Sequence, residues 1–284
     1  MFSREDKETI YFGLMKLAGI VSLAILIAVI GYLLYEGVGV IDWGFVSKMW
    51  SHQDITLGGI KPAILGTLYL AGGIALFSIP TGMFCAIYLN EYAGDSKLVR
   101  SVRIAIRNLA GVPSIVYGLF GFSAFVIFFG FGKSLLAAWL TLSAMTLPWT
   151  ITASEEALKN IPDSFREASL ALGASKWETI RKVILPHAIP GMVTGSILGL
   201  ARALGETAPL LLVGGVFYMQ SLPTSPLSQF MALPYHIYIL ATQHTGDAAY
   251  SYAAGTSIVL IALIFGISLI MILLRRYFKA KRDW

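Results

Sequence analysis

The sequence predicts an all-α integral membrane protein that crosses the bilayer six times. Hydrophobic residues make up 56% of the 284 residues and charged residues only 13%, whereas soluble domains carry about 25% charged residues. Six apolar runs approach the ~20 residues that a helix needs to cross a bilayer. The connections between these runs are too short to fold as a separate catalytic domain.

Each predicted span corresponds to one apolar run. The first run is too long for a secretory signal and lacks a small-residue cleavage pattern, so it is retained as a span. The third is the shortest, and we expect its helix to begin earlier, within the semi-apolar stretch 102–112. The six runs are 11–35, 64–89, 114–129, 134–153, 189–213 and 251–278.

The segment 226–241 is apolar but is not predicted to span. It is short, is interrupted by Pro234 and contains no Lys or Arg. Segments of this length are more often re-entrant or interfacial than spanning. A seventh span would also move the cationic tail outside the cell, so we place this segment at the outer face and leave both alternatives open.

The distribution of cations predicts the topology. Of the 21 Lys and Arg residues, 16 lie in segments on one side of the predicted membrane: the two termini, 97–107 and 159–182. Cytoplasmic loops collect such residues, so both termini are predicted to be cytoplasmic. The net charge of +5 is then explained by topology, and nucleic-acid binding loses its support.

Cysteine and histidine content excludes two further classes of site. Cys85 is the only cysteine, so the chain cannot form an intrachain disulfide or a cysteine-rich zinc cluster. His187, His236 and His244 are dispersed without the spacing of metal ligands. The sequence therefore predicts no metal site.

The most polar stretch, 155–187, lies between the fourth and fifth spans and predicts two short helices. Ser164 with Glu167, and Ser175 with Glu178, fit capping boxes, in which the hydroxyl and the carboxylate bind free backbone N–H groups at a helix start. Gly173 suits the left-handed position that ends a helix. The predicted order is helix, glycine turn, helix on the cytoplasmic side.

This helix pair is more apolar than a solvated loop requires. Helices of about ten residues are unstable alone in water, so the pair must pack on another surface. Pro186 then allows the chain to bend before it re-enters the membrane. Docking on a cytoplasmic partner and packing on the chain's own spans remain equally open. The apolar side chains are Phe165, Leu170, Leu172, Trp177 and Ile180.

The same loop resembles the EAA motif of bacterial ABC-importer permeases, written EAA, x3, G, x9, I-x-LP. Ser169 replaces the second alanine and Val183 replaces isoleucine; both changes are conservative. The resemblance implies a type I ABC importer permease fold, in which this loop supplies the coupling helix that sits in a groove of the ATPase subunit. The matching residues are Glu167, Ala168, Ser169, Gly173, Val183, Ile184, Leu185 and Pro186.

A charged pair lies inside the fifth span. Arg202 is far from the predicted interfaces, and an arginine in the middle of a membrane span costs about 2.5 kcal/mol or more. Glu206 lies one helical turn later. The pair either fixes helix packing only, or Arg202 binds an oxyanion during passage while Glu206 neutralises the empty path. Along the predicted helix the pair shares one face with Gly191, Gly195, Gly199 and Pro209.

The sequence around this pair resembles a narrower family. Residues 201–210 (ARALGETAPL) and 111–121 (GVPSIVYGLFG) are similar to the phosphate-specific importer permeases, and the GETAPL ending resembles the PstA type of subunit. The RALGE portion is shared with sulfate and molybdate permeases, so these oxyanions are the alternative substrates. In the phosphate family an arginine and a glutamate of this motif are implicated in transport, and they correspond to Arg202 and Glu206.

The resemblance also implies partners. We expect a heterodimer with a PstC-type permease, a dimer of PstB-type ATPase subunits and a phosphate-binding protein, in the bacterial cytoplasmic membrane. ATP and Mg would belong to the ATPase subunits, and this chain would bind no cofactor. Its Gly132-Lys133-Ser134 resembles the end of a P-loop, but Ile127 stands where the first glycine belongs.

Two other classes and a domain division complete the predictions. An intramembrane enzyme could use Glu206 as an acid or base, but a nucleophile or metal partner at a plausible spacing is missing. A passive channel would conduct without any ATPase. We expect residues 1–59 to form an N-terminal segment with the first span and an outer loop, and 60–284 to form the permease core with the EAA loop at 155–187 and a cytoplasmic tail.

Overall fold

The computed structural model describes residues 4–51, 56–219, 221–244 and 246–280. In these ranges the regular elements are helical, apart from an isolated parallel bridge between Gly215 and Phe230. This confirms the predicted all-α class. The helices are α1 Arg4–Gly37, α2 Trp43–Ser47, α3 Lys61–Ile87, α4 Lys97–Leu109, α5 Ser114–Gly121, α6 Leu135–Lys159, α7 Asp163–Ala171, α8 Lys176–Thr179, α9 Leu185–Leu204, α10 Ala208–Val213, α11 Leu233–Thr242 and α12 Asp247–Ala280.

Several helices continue into other helical turns. A 3₁₀ turn, Val38–Val40, follows α1, and π-helical segments Tyr88–Tyr92, Phe122–Phe128 and Ile180–Ile184 extend α3, extend α5 and join α8 to α9. Within the described ranges, five helical segments are long and apolar enough to cross a membrane, and the bent pair α4–α5 makes a sixth. The predicted six-span architecture is therefore confirmed.

Helix α6 lies at the centre of the bundle because glycines let its neighbours approach closely. A Cβ on Gly191 of α9 would lie 2.8 Å from the Cβ of Ala157, and a Cβ on Gly195 would collide with Ala153. Small residues at such contacts are what allows helices to pack in a membrane. The predicted glycine face of the fifth span thus packs on α6.

The third span is not one continuous helix. Helix α4 ends at Leu109, α5 begins at Ser114, and the two helices are bent by 104°. The expectation that one helix begins within 102–112 and continues into the span is therefore wrong. Pro113 precedes α5 with an extended ψ of 140°, and a proline disfavours the helical conformation in the residue before it, so one continuous helix cannot form there.

The segment 226–241 does not span either. Only Leu233–Thr242 is helical, and residues 230–233 are fully buried. The backbone N–H of Leu233 donates to Thr67 of α3 at 2.9 Å, and the N–H of Leu135 donates to the carbonyl of Ser228 at 3.0 Å. The segment therefore enters the protein beside the start of α6, at the end of the bundle opposite to the loop 160–175, as a re-entrant segment would.

The two terminal helices lie at the periphery. Helix α1 exposes apolar side chains along most of its length and packs on α12, where Gly37 lies against Gly255. This exposed apolar surface is suited to lipid or to another membrane subunit. The division into residues 1–59 and 60–284 stays a prediction.

The close contact of α9 with α6 makes a testable prediction. Gly195→Leu forces a side chain into Ala153, so we expect a loss of stability of about 1–3 kcal/mol, measured as earlier thermal unfolding of the detergent-purified protein. Gly72→Ala on α3 is the matched control, because nothing lies within 4 Å of its Cβ position. Equal unfolding temperatures for the two variants would contradict this packing.

Candidate functional site

The turn after α7 has the conformation that the sequence predicts. Gly173 has a φ of +84°. Its N–H donates to the carbonyl of Leu170 at 2.9 Å, and the N–H of Ala174 donates to the carbonyl of Ser169 at 3.2 Å. This pair of bonds is a Schellman motif, which satisfies the last carbonyls of a helix. The prediction that Gly173 ends the first helix is confirmed.

One of the two predicted capping boxes is present. Ser175 accepts a bond from the N–H of Glu178, whose carboxylate accepts one from the N–H of Ser175. The box proposed for Ser164 and Glu167 is wrong, because α7 begins at Asp163, two residues earlier than this box requires, with Pro162 at the N-cap position and no side-chain cap. Ser164 therefore lies inside the first turn, where its hydroxyl cannot cap.

The second helix of the pair is not separate from the membrane span. The chain is helical without interruption from Lys176 through the π segment Ile180–Ile184 and on to Leu204. The predicted bend at Pro186 is wrong. Pro186 occupies the first turn of α9, where its missing N–H is tolerated, and the π segment before it is a known way of accommodating such an irregularity.

The predicted coupling residues fall into two groups. Glu167, Ala168 and Gly173 are exposed, whereas Leu185 and Pro186 are partly buried at the root of the loop. Four apolar side chains of the loop are also exposed, with Leu172 the most open at 90%; the others are Phe165, Leu170 and Trp177. Large exposed apolar side chains outside the membrane mark a contact surface for another protein.

Ser169, which stands where the EAA motif has alanine, has a structural role. Its hydroxyl lies 2.9 Å from the hydroxyl of Thr179, and Thr179 is buried. A buried hydroxyl needs a hydrogen-bond partner. Ser169 supplies it and so ties α7 to α8 across the Gly173 turn.

The helix that carries Arg202 is broken, which corrects the predicted face. Helix α9 ends at Leu204, and α10 starts at Ala208. Glu206 and Pro209 therefore do not continue the helix face of Arg202. The ion pair itself is present: Nε of Arg202 lies 3.7 Å from Oε1 of Glu206, with the arginine side chain 54% exposed and the glutamate 19% exposed.

Trp149 of α6 completes this site and was missed by the sequence analysis. The guanidinium of Arg202 lies 4.9 Å from the centre of the Trp149 ring, within the range of cation–π attraction. Among the described residues Arg202 donates no hydrogen bond, so its N–H groups remain free to bind an anion. No local pattern in the sequence pairs residues 53 positions apart.

The two segments that resemble phosphate permeases, 111–121 and 201–210, contact each other. Gly118 of α5 lies against α10, and a Cβ there would come within 2.9 Å of Cα of Pro209. Helix α5 thereby packs beside the break that holds Glu206. A break in a membrane helix is tolerated where it lies inside protein or lines a water-filled cavity, so this junction is a candidate for the substrate path.

Potential metal ligands are dispersed in the described part of the chain. Across the described residues, groups of three or more His, Cys, Asp or Glu that could hold an ion do not occur. The polar centre of the site is one arginine with one carboxylate and one indole. A guanidinium with free donors can attract an anion, and the set contains no nucleophile paired with a base.

A multi-span membrane permease is therefore the class that this fold and site define. Residues 78–283 match the family described as binding-protein-dependent transport system inner membrane component. The chain belongs to this family. It is a multi-pass membrane subunit of an ABC importer and not an enzyme.

Relatives with curated names agree with the family. The chain is 40% identical over 227 residues to the phosphate transport system permease protein PstA 1 of Mycobacterium tuberculosis strain H37Rv, covering 77% of this chain and 73% of the relative. It is 36% identical to the phosphate transport system permease protein PstA of Mycobacterium leprae, over 94% of this chain and 86% of the relative. It is 32% identical to the probable ABC transporter permease protein YqgI of Bacillus subtilis, over 94% and 95%.

Solved structures share the fold at lower identity. A chain of a bacterial alginate ABC transporter in complex with an alginate-bound periplasmic protein has a TM-score of 0.68 at 18% identity, with 96% of both chains covered. A chain of the MetNI methionine ABC transporter has a TM-score of 0.59 at 21% identity, covering 78% of this chain and 94% of that one. These likenesses confirm the fold class.

Trp149 makes the first prediction for this site. Trp149→Ala removes the ring under Arg202, and we expect uptake by the reconstituted importer to fall about 2- to 10-fold, the range of one cation–π contact. Trp149→Phe keeps an aromatic face and should retain most of the rate. Wild-type uptake by an assembled Trp149→Ala complex would show that the ring does not position Arg202.

The second prediction for this site concerns the turn at Gly173. Most other residues at this positive φ are strained by about 1–2 kcal/mol, although nothing lies within 4 Å of the Cβ position of Gly173. Gly173→Val should reduce both uptake and the amount of ATPase that copurifies. Gly173→Asn, which tolerates this conformation, should lie much closer to wild type. Identical losses in both variants would mean that the backbone conformation is not the cause.

Proposed function

We propose that this chain is the PstA-type permease subunit of an ATP-driven importer of inorganic phosphate. The observation that carries the proposal is the 40% and 36% identity to subunits named phosphate transport system permease protein. The site agrees in chemistry, because a guanidinium with free donors is well matched to an oxyanion. Both segments that resemble phosphate permeases, 111–121 and 201–210, lie at this site.

Arg202 is suited to transient binding. Its partner Glu206 lies at 3.7 Å, beyond hydrogen-bond length, so the carboxylate neutralises the arginine without occupying its N–H donors. An arriving phosphate binds these donors, and the nearby carboxylate limits the affinity. Conduction requires that the ion can leave as easily as it enters. Arg202 and Glu206 are the proposed substrate-path residues.

Partner subunits provide the ATP hydrolysis that drives transport. A PstC-type permease completes the path, a dimer of PstB-type subunits binds ATP and Mg, and a phosphate-binding protein delivers the substrate. The exposed Glu167, Ala168 and Gly173 contact the ATPase, while Leu185 and Pro186 anchor the loop. Closure of the ATPase dimer moves this loop and opens the path alternately to either side.

The proposed topology has both termini in the cytoplasm of a bacterial cell. The cationic segments around Arg103 and Arg166 meet at one end of the bundle, and α11 lies at the other. Cytoplasmic ends collect Lys and Arg, which supports placing the Gly173 loop inside and the re-entrant segment outside.

Neutralising Arg202 tests the path. Arg202→Gln should reduce phosphate uptake by at least tenfold, because the site loses its only charge that attracts the anion, while assembly with the partners is preserved. The measurement is uptake of radiolabelled phosphate into proteoliposomes that contain the complete complex. Arg202→Lys retains the charge without the planar fork and should be intermediate. Undiminished uptake by Arg202→Gln would show that the Arg202–Glu206 pair only fixes helix packing.

Competition between oxyanions tests the substrate. Unlabelled phosphate should abolish uptake of labelled phosphate, whereas sulfate and molybdate at the same concentration should leave it within twofold of the uninhibited rate. Strong inhibition by sulfate or molybdate would instead assign the chain to that alternative. Uptake without ATP would identify a passive channel and contradict the proposal.

A further inference from the structure

Helix α7, the exposed arm of the Gly173 loop, is held by polar contacts. Within the described range Asp163–Ala171, none of its residues is buried, and its Phe165 ring lies 5.4 Å from the ring of His187 on α9. A cleft of about 530 Å³ opens beside it, lined among others by Lys159, Leu170 and Lys176. Besides this ring contact and the backbone, force on α7 can reach the spans through a few defined polar bonds.

Arg166 makes most of these bonds. Its Nη2 and Nε lie 2.8 and 3.3 Å from the two carboxylate oxygens of Glu91, in the π segment that extends α3. Its guanidinium also donates to the carbonyls of Leu158 and Ile161 at the end of α6, at 3.2 and 2.9 Å. One side chain of α7 thus binds two different membrane helices.

Burial makes this contact different from a surface ion pair. The side chain of Glu91 is 7% exposed and that of Arg166 is 19% exposed, whereas Asp163, which also contacts Arg166 at 3.2 Å, is 86% exposed. A buried pair with a two-bond fork is rigid, and removal of one partner is costly. Hydrogen bonding to Glu91 raises the pKa of Arg166 above its usual value, so the arginine remains charged.

A second arginine fixes the same π segment from its other side. Arg103 of α4 donates to the carbonyl of Leu89 at 2.6 Å and to the carboxylate of Glu155 on α6 at 3.0 Å. The π segment is therefore bound by Arg103 and Arg166 and, through both, to α6. A displacement of α7 moves α3 and α6 together.

We propose that Glu91 and Arg166 form the mechanical link through which movement of α7 reaches the membrane helices. This inference rests on the proposed function, because it concerns the coupling of the ATPase to the path. We treat both as positioning residues, which act through the helices that they join. Without the link, the ATPase hydrolyses ATP while the path stays unmoved.

The test measures coupling rather than activity alone. In proteoliposomes with the complete complex, phosphate transported per ATP hydrolysed is compared for wild type, Glu91→Gln and Arg166→Gln. We expect the ratio to fall at least fivefold in both variants, with subunit stoichiometry unchanged and ATP hydrolysis within twofold of wild type. Asp163→Asn is the matched control and should keep the wild-type ratio.

A conservative variant separates a link from a merely structural pair. Arg166→Lys keeps the positive charge and can still donate to Glu91 and to the carbonyls of α6 without the planar fork, so it should recover at least half of the ratio lost in Arg166→Gln. An unchanged ratio in the Gln variants, a parallel loss of transport and hydrolysis, or an Arg166→Lys variant no better than Arg166→Gln would each overturn the link.

Failure of the proposed substrate is distinguishable from failure of the link. Wild-type complex that hydrolyses ATP but moves no phosphate would reject phosphate as substrate. The nucleotide-dependent movement of a spin label on α3 then replaces transport as the readout. The link predicts that this movement is lost in Glu91→Gln and kept in Asp163→Asn; equal movement in both would overturn the link.

Discussion

The close contact of α6 with its neighbours is the constraint on which the rest of the structure depends. Glycines of α9, and Gly73 and Gly82 of α3, let these helices approach α6 at backbone distance. In a bilayer such contacts hold helices together, since lipid is as apolar as the side chains. Because α6 is fixed from both sides, Trp149 and Glu155 become fixed points for the arginines.

Three arginines use this framework in different ways. Arg103 and Arg166 are largely buried and bind carboxylates and carbonyls at one end of the bundle. Arg202 is half exposed, rests on an indole and keeps its N–H groups free. In our proposals the saturated guanidinium of Arg166 transmits force, whereas the unsaturated guanidinium of Arg202 binds the anion.

Irregular helices explain the predictions that failed. The break between α9 and α10 lies inside the apolar run 189–213, the bend before α5 lies just ahead of the run 114–129, and the π segment before Pro186 lies in the polar stretch 155–187. Apolar content specifies that a segment enters the membrane, but it does not specify where its backbone bonds are interrupted. Such interruptions are stabilised by neighbouring elements, as Gly118 packs against Pro209.

The sequence by itself determined the all-helical class, the six spans, the Gly173 turn and the Ser175–Glu178 cap, because apolar run length, glycine conformation and capping act within a few residues. It also placed Arg202 and Glu206 near each other, since they are four positions apart. Only the tertiary structure decided that Arg202 rests on Trp149 and that Arg166 binds Glu91, 75 positions away. Contacts at such separation depend on how helices pack, which local periodicity does not encode.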